Sequence, residues 1–325
     1  MHLYPLKFEP ILKPMIWGGS DIIPFKNIDS NEKDIGESWE ISDVKGYESV
    51  ISNGDLKGKT FQELLIEQKE CLVGKKVYEK YGDKFPLLIK FIDAKQDLSI
   101  QVHPDDKLAK ERHNSFGKTE MWYVINASPT AFLYSGFETK ISPEEYVERV
   151  ASNTFTDTLK KYDVQAGDVF FLPAGRVHAI GAGCFIAEIQ QTSDITYRIY
   201  DYNRKDEQGN SRQLHTESAK DAIDFRVSDS YKTEYERKVN HPVKLVSCPY
   251  FTTNLLEIDK PILRDYRKID SFVALICMEG NGILKDSKNN HTVYRQGETI
   301  LIPADTKFTE IIPENRTKIL ETFVQ

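Results

Sequence analysis

Short runs of alternating apolar and polar residues, closed off by Gly, Asn, Asp or Pro, recur along most of the chain and limit its fold more than any other feature. They include Pro86–Asp93, Leu98–His103, Met121–Asn126, Asp168–Pro173, Cys184–Gln190, Thr196–Tyr202, Phe272–Met278 and Thr299–Pro303. A period of two sends successive side chains to opposite faces of a sheet. These runs do not alternate with helices, so the pattern predicts a mainly β sandwich or jelly roll and argues against a parallel sheet with helical crossovers. Helical signals are few. Thr60-Phe-Gln-Glu63 reads as a capping box ahead of Leu64, Leu65, Gln68 and Leu72. Ser142-Pro-Glu-Glu145 puts a cap and a first-turn proline ahead of Tyr146, Val147 and Val150, and a third short helix is expected after Thr216.

One stretch is echoed. Gly167-Asp-Val-Phe-Phe-Leu-Pro173-Ala resembles Gly297-Glu-Thr-Ile-Leu-Ile-Pro303-Ala in its order of residue classes: turn glycine, acid, largely apolar strand, proline. A duplicated unit follows, hence two β lobes. The boundary is placed within Val239–Val246, giving a first lobe of residues 1–240 that carries the helical insertions and a second of 241–325. His178 stands five residues after Pro173, whereas Phe308 stands five after Pro303. The second copy has no polar residue there, so chemistry is expected in the first lobe and the second is expected to be metal-free.

With 325 residues, the chain is long enough to bury a large core without disulfide or metal staples. Cys71, Cys184, Cys248 and Cys277 are widely spaced with no CxxC pair, as expected of reduced thiols. No stretch approaches the ~18 apolar residues of a membrane span, and the amino terminus lacks a basic start followed by an apolar run. A cytoplasmic protein without membrane association is expected. The net charge of −7 disfavours a general nucleic-acid binder but leaves room for a small anionic substrate held by two or three cations. With no apolar heptad or evident exposed patch, a monomer is expected.

Three elements carry polar residues where a strand would bury them. Along Ser99-Ile-Gln-Val-His103, Ser99, Gln101 and His103 share one face and Ile100 and Val102 the other, so a polar row faces a cavity or, on the blander reading, solvent at a sheet edge. Glu120 opens the apolar run after Gly117-Lys-Thr, where it is either exposed at the strand's start or binds a cation. In Gly167-x5-Pro173-x-Gly175-x2-His178, Gly175 permits the tight turn that brings His178 back onto the inner face. His103, Glu120 and His178 form a two-histidine, one-carboxylate set with Gln101 as a fourth ligand candidate, suited to a catalytic metal with open positions. The remaining histidines, His2, His113, His215, His241 and His291, fall in charged stretches and are expected to be solvated.

The last of these spacings resembles the second motif of the cupin superfamily, although that family's usual asparagine four residues after the histidine is Ala182 here. The chain as a whole resembles the type I mannose-6-phosphate isomerases (phosphomannose isomerases), especially their shorter bacterial branch. The matching segments, in order, are Ile16-Trp-Gly-Gly19, Glu37-Ser-Trp-Glu-Ile-Ser42, Leu98-Ser-Ile-Gln-Val-His-Pro-Asp105, Gly117-Lys-Thr-Glu-Met-Trp-Tyr123, Pro173-Ala-Gly-Arg-Val-His-Ala-Ile-Gly181 and Ser193-Asp-Ile-Thr-Tyr-Arg-Ile-Tyr-Asp-Tyr-Asn-Arg204.

The resemblance implies two cupin-type jelly-roll lobes and one zinc ion per chain, held by Gln101, His103, Glu120 and His178. It also implies an isomerase acting on a small sugar phosphate, with Arg198, Lys90 and Lys118 in the pocket. Arg198 would hold the enediolate or the phosphate. Lys90 interrupts an apolar strand and, if desolvated, would carry a lowered pKa suited to proton transfer or phosphate contact. Larger relatives have a histidine where this chain has Gly117, and no proton-transfer base is assigned. Trp17-Gly-Gly and Glu37-Ser-Trp-Glu40 are expected to be architectural. Three other readings compete: an Fe(II) cupin oxygenase, separable by metal analysis and oxygen uptake; a non-enzymatic sugar-binding or regulatory cupin; and another sugar-phosphate isomerisation on a related cupin.

Overall fold

Leu87, Ile89 and Phe91 alternate with Leu88, Lys90 and Ile92 along the strand Leu87–Ala94, and the two sets enter different layers. The first joins the largest apolar cluster of the molecule, while Lys90 and Ile92 face a cavity inside the first lobe. The computed structural model describes residues 3–205 and 208–324, so His2 lies outside the described residues. The protein is mainly β with a few short inserted helices, and each of the eight runs predicted above contains a strand.

Two sheets build the first lobe. One has six strands in the order Val169–Leu172, Glu120–Ala127, Cys184–Gln191, Leu87–Ala94, Ile11–Gly19 and Ile35–Ile41. The other has five, in the order Leu159–Asp163, Phe132–Phe137, His178–Ile180, Ile100–Val102 and Tyr197–Tyr200. The second lobe repeats the plan with a six-stranded sheet and a four-stranded sheet made of Ile262–Asp265, Phe308–Pro313, Asn281–Asp286 and His291–Arg295. Both lobes are cupin-type jelly rolls. The echoed glycines sit in equivalent turns that carry the chain from one sheet of a lobe to the other, both with positive φ, Gly167 at 95° and Gly297 at 78°.

The lobes share a core. Phe91, Phe185, Ala187 and Ile189 from the first six-stranded sheet pack in one cluster with Leu255, Phe272, Ala274 and Leu320 from the second. The chain's start reinforces this seam, because Leu6–Lys7 pairs with Thr299–Ile302 in the second lobe's sheet. A buried ion pair also lies there: the Lys26 ammonium meets the Glu40 carboxylate at 2.7 Å and donates to the carbonyl of Gly297.

The capping box forms as read, with Thr60 and Glu63 exchanging hydrogen bonds at the start of Phe61–Gln68. The helix does not run on to Leu72, however. Lys69 turns to φ 47° and a separate short helix, Glu70–Val73, follows. That break lets the carbonyls of Cys71 and Leu72 accept from Asp305 and Ala304 of the second lobe. Pro143–Ala151 and Thr216–Ala222 are helical as expected, and three helices without a clear sequence signal, Ile22–Lys26, Lys75–Tyr81 and Asp106–His113, fill the connections.

Candidate active site

Register places the polar side chains opposite one another. Across the six-stranded sheet, Trp39 pairs with Lys90, Lys90 with Glu188 and Glu188 with Trp122. Across the five-stranded sheet, Arg198 pairs with Gln101 and Gln101 with His178. Apart from His178, which lies just behind Gln101, the two rows line one cavity between the sheets, while Ile100 and Val102 pack into the core behind. Gly175, at φ 89°, makes the turn that brings His178 onto the strand His178–Ile180.

Three ligand-type groups converge at the inner end. The His103 Nε2 lies 3.5 Å from Glu120 Oε2, and the His178 Nε2 lies 3.3 Å from Glu120 Oε1. All three residues are buried, with their ligating atoms within 4.8 Å of one another. Each histidine donates its Nδ1 proton to a backbone carbonyl, His103 to Ile195 and His178 to Arg176, both at 2.9 Å. A carbonyl can only accept, so both rings present an unprotonated Nε2 to the cluster, the orientation typical of metal-binding histidines. The His103 Nε2 and both Glu120 oxygens are buried without a hydrogen-bond partner. Buried polar atoms are rarely left so, and three converging lone-pair donors fit a bound cation. Gln101 adjoins them, its amide nitrogen 3.3 Å from His178 Nε2, and turning that amide over presents its oxygen to the same point.

Burial sets the protonation of the cluster. It pushes His178 down to about 4 and His103 well below its ordinary value, the latter helped by Lys118, so both are neutral at pH 7. It also pushes Glu120 up to about 8, against the pull of Lys118, whose Nζ is 3.4 Å away.

Further out, Lys90 sits between two carboxylates, 3.4 Å from Glu188 and 3.6 Å from Glu37. Burial lowers its pKa, but Glu37 and Glu188 outweigh that, and the net shift is upward. The lowered pKa expected for a desolvated lysine is therefore corrected: Lys90 is firmly charged. Burial likewise opposes ionisation of Glu188, yet Lys90 and Lys118 hold it below the usual carboxylate range, and the Trp122 indole donates to it at 2.9 Å.

The Trp17 and Glu37-Ser-Trp39 segments are not merely architectural. Trp17, Glu37 and Trp39 line the cavity, and the Trp39 ring lies under both Lys13 (3.9 Å) and Lys90 (4.9 Å). Gly18 and Gly19 serve close approach within a strand rather than a tight turn, since a Cβ on Gly19 would lie 2.2 Å from the Asp93 carboxylate. Glu40 faces the other way, onto Lys26. Lys13, Glu37, Glu188 and Arg212 are cavity residues that periodicity alone did not single out. The interruption of the apolar run Cys184–Gln191 by Glu188 was the one signal available.

Arg198 reaches the cavity from the five-stranded sheet, with no ion-pair partner among the described residues. His113 is exposed as expected, with one ring nitrogen hydrogen-bonded to the Tyr197 hydroxyl at 2.8 Å. His215, expected to be solvated, is half-buried instead and accepts at Nδ1 from the Arg198 backbone N–H at 3.0 Å. His241 and His291 are exposed as expected.

This fold and this cluster define a two-lobed cupin with a buried His–Glu–His centre next to a charged cavity, separated from it by Gln101 and Lys118. Residues 6–124 match the catalytic domain of type I phosphomannose isomerase. The mannose-6-phosphate isomerase ManA of Bacillus subtilis is 33% identical over 93% of this chain and 94% of its own length. The mannose-6-phosphate isomerase of Streptococcus mutans is 34% identical over 93% of both. The crystal structure of a Bacillus subtilis mannose 6-phosphate isomerase superposes with a TM-score of 0.87 at 32% identity, covering 98% of this chain and 99% of that one. The chain belongs to the type I mannose-6-phosphate isomerase family of enzymes.

Proposed function

We propose that this enzyme is a zinc-dependent aldose–ketose isomerase that interconverts mannose 6-phosphate and fructose 6-phosphate through an enediol. The observation that carries the reading is the buried convergence of two Nε2 atoms and a carboxylate, with His103 Nε2 and both Glu120 oxygens lacking a hydrogen-bond partner, next to a cavity lined by cations. His103, Glu120 and His178, with Gln101 as fourth ligand, would hold the zinc, which supplies Lewis-acid polarisation of the sugar carbonyl when bound. Lys90 and Lys118 keep positive charge beside the reacting carbons, where negative charge develops. Arg198, with most of its guanidinium uncommitted, binds the enediolate or the phosphate. No base is assigned to the proton transfer.

Residues 1–240 form the catalytic lobe in this reading and 241–325 a metal-free one. A contrast inside the two lobes supports this. Glu321, fully buried within the second lobe, is bonded by Arg264 (2.8 Å twice), Tyr266 (3.0 Å) and Asn254 (2.9 Å), and so has no valence left for a cation. Unpaired thiols at all four cysteines suit a reducing cytoplasm, and a monomer with a small sugar-phosphate substrate completes the reading.

The test is metal analysis of the purified protein with an assay of mannose 6-phosphate conversion before and after chelation. Activity that disappears with chelator and returns with zinc is expected. A stoichiometrically metallated protein without isomerase activity overturns the substrate assignment, and bound iron with oxygen uptake puts the oxygenase in its place.

A further inference from the structure

The strand Tyr197–Tyr200 is the outermost of the five-stranded sheet, so away from Ile100–Val102 its backbone has no neighbouring strand. A single residue supplies the missing ladder for Arg198. The His215 backbone N–H donates to the Arg198 carbonyl at 2.7 Å, and the Arg198 N–H donates to His215 Nδ1 at 3.0 Å. The imidazole stands where the carbonyl of a next strand would be. Two residues earlier, the Gln213 carbonyl accepts from Arg198 Nη1 at 3.0 Å.

These bonds matter because little else fixes this arginine. Its Nε is buried with no partner, and no carboxylate is within ion-pair distance among the described residues. The nearby Arg204 and Arg212 share the one carboxylate of Asp201. Arg198 thus has no ion-pair partner of its own among the described residues, and the repulsion of Arg212 and Arg204 is opposed only by the more distant Asp201. A guanidinium in that setting stays in place only if its backbone and one edge are pinned, which leaves its other N–H groups free for an anion.

We infer that His215 is a positioning residue for Arg198: its imidazole and peptide N–H complete the sheet edge so that the guanidinium is held in the cavity for the anionic part of the substrate. This rests on the reading above in which Arg198 acts on the substrate. His215 is itself neither a cavity-lining residue nor a candidate metal ligand, and it reaches the cavity only through Arg198. Its Nδ1 must stay an acceptor, and burial together with the Arg198 charge keeps the ring neutral at pH 7.

Amide side chains separate this role from a general packing role. An asparagine oxygen takes the position of Nδ1, whereas a glutamine oxygen lies nearer that of Nε2. With mannose 6-phosphate as substrate, Arg198→Ala is expected to lower kcat/KM by about 100-fold or more, the scale of losing a charge-stabilising donor. His215→Phe and His215→Gln are each expected to lower it by about 10-fold through misplacement of the guanidinium, while His215→Asn recovers most of the loss. In the Arg198→Ala background, His215→Phe should change kcat/KM by less than about twofold, because residues acting through one another are not additive. If Arg198→Ala is as active as the parent, the substrate role of Arg198 falls, whatever His215 does. If Arg198→Ala is impaired but His215→Asn and His215→Gln behave alike, or His215→Phe keeps its full effect without Arg198, the positioning role is wrong. The asparagine and glutamine pair carries the comparison should His215→Phe not fold.

Discussion

Replacing Lys90 by methionine separates the electrostatics of the cavity wall from its chemistry. The Lys90 ammonium is 3.4 Å from Glu188 and 3.6 Å from Glu37, with its side chain only 8% exposed. At an effective dielectric of about 20, each contact is worth on the order of 5 kcal/mol before desolvation. Desolvation of the lysine offsets much of this. What Lys90→Met leaves behind is Glu188, 4% exposed, with one oxygen already lacking a hydrogen-bond partner. Removing one partner of a buried pair usually costs about 3–5 kcal/mol. Lys118 and the Trp122 indole still support Glu188, so a loss near the lower end, about 3 kcal/mol at pH 8, is expected.

The pH dependence follows. In the parent, Glu188 is held below its ordinary value, so its contribution is present above that value and lost as pH falls. Without Lys90, burial dominates and raises the carboxyl above its unfolded value. The penalty then exists only where the unfolded chain would be ionised, and it shrinks as pH drops towards 5 and Glu188 takes up a proton. Urea unfolding of parent and variant from pH 5 to 8 measures the difference. The second variant, Lys90→Met with Glu188→Gln, is expected to regain most of the stability while isomerase activity stays at least about 100-fold down, since in the proposed function Lys90 is a cation beside the reacting carbons and it is still missing. A pH-independent loss below about 0.5 kcal/mol refutes the electrostatic account. Recovery of activity in the double variant refutes a catalytic part for Lys90.

Two further outcomes test the frame around the site. Asp93 accepts the Asp21 N–H at 2.6 Å beside Gly19, and burial raises it from 3.8 to about 6. Its ionisation therefore penalises the fold fully above about pH 6 and not at all below about pH 4. Asp93→Asn should gain up to roughly 2–3 kcal/mol on the parent between pH 4 and 7, at 1.36 kcal/mol per pKa unit, and a gap that does not change with pH in denaturant titrations sinks this. Lys26→Met leaves Glu40 buried and unpaired at the seam between the lobes, so a loss of about 3–5 kcal/mol in chemical unfolding is expected, and Lys26→Met with Glu40→Gln should recover most of it.

The amino-acid sequence by itself determined the local elements, because strand alternation, capping boxes and turn glycines act over a few residues. The run Leu98–His103 announced which side chains would leave the core, and the glycine–proline–glycine–histidine spacing announced the turn that delivers His178. Buried strands at the centre of a sheet are less legible. In Cys184–Gln191 every residue is buried, so alternation could not show that Glu188 faces a cavity and Ile189 the seam between lobes.

Only the tertiary structure decided three things. It set the charge of Lys90, since burial alone would have lowered its pKa and two carboxylates from other strands reverse the sign. It turned the Trp17 and Glu37–Trp39 segments into cavity wall, because their strands close the six-stranded sheet beside Lys90. It also brought His215 onto the open edge of Arg198, seventeen residues away along the chain. Short-range patterns specify which backbone forms where; the sign of a buried charge and the partner of an edge strand depend on groups distant in sequence, which no local pattern contains.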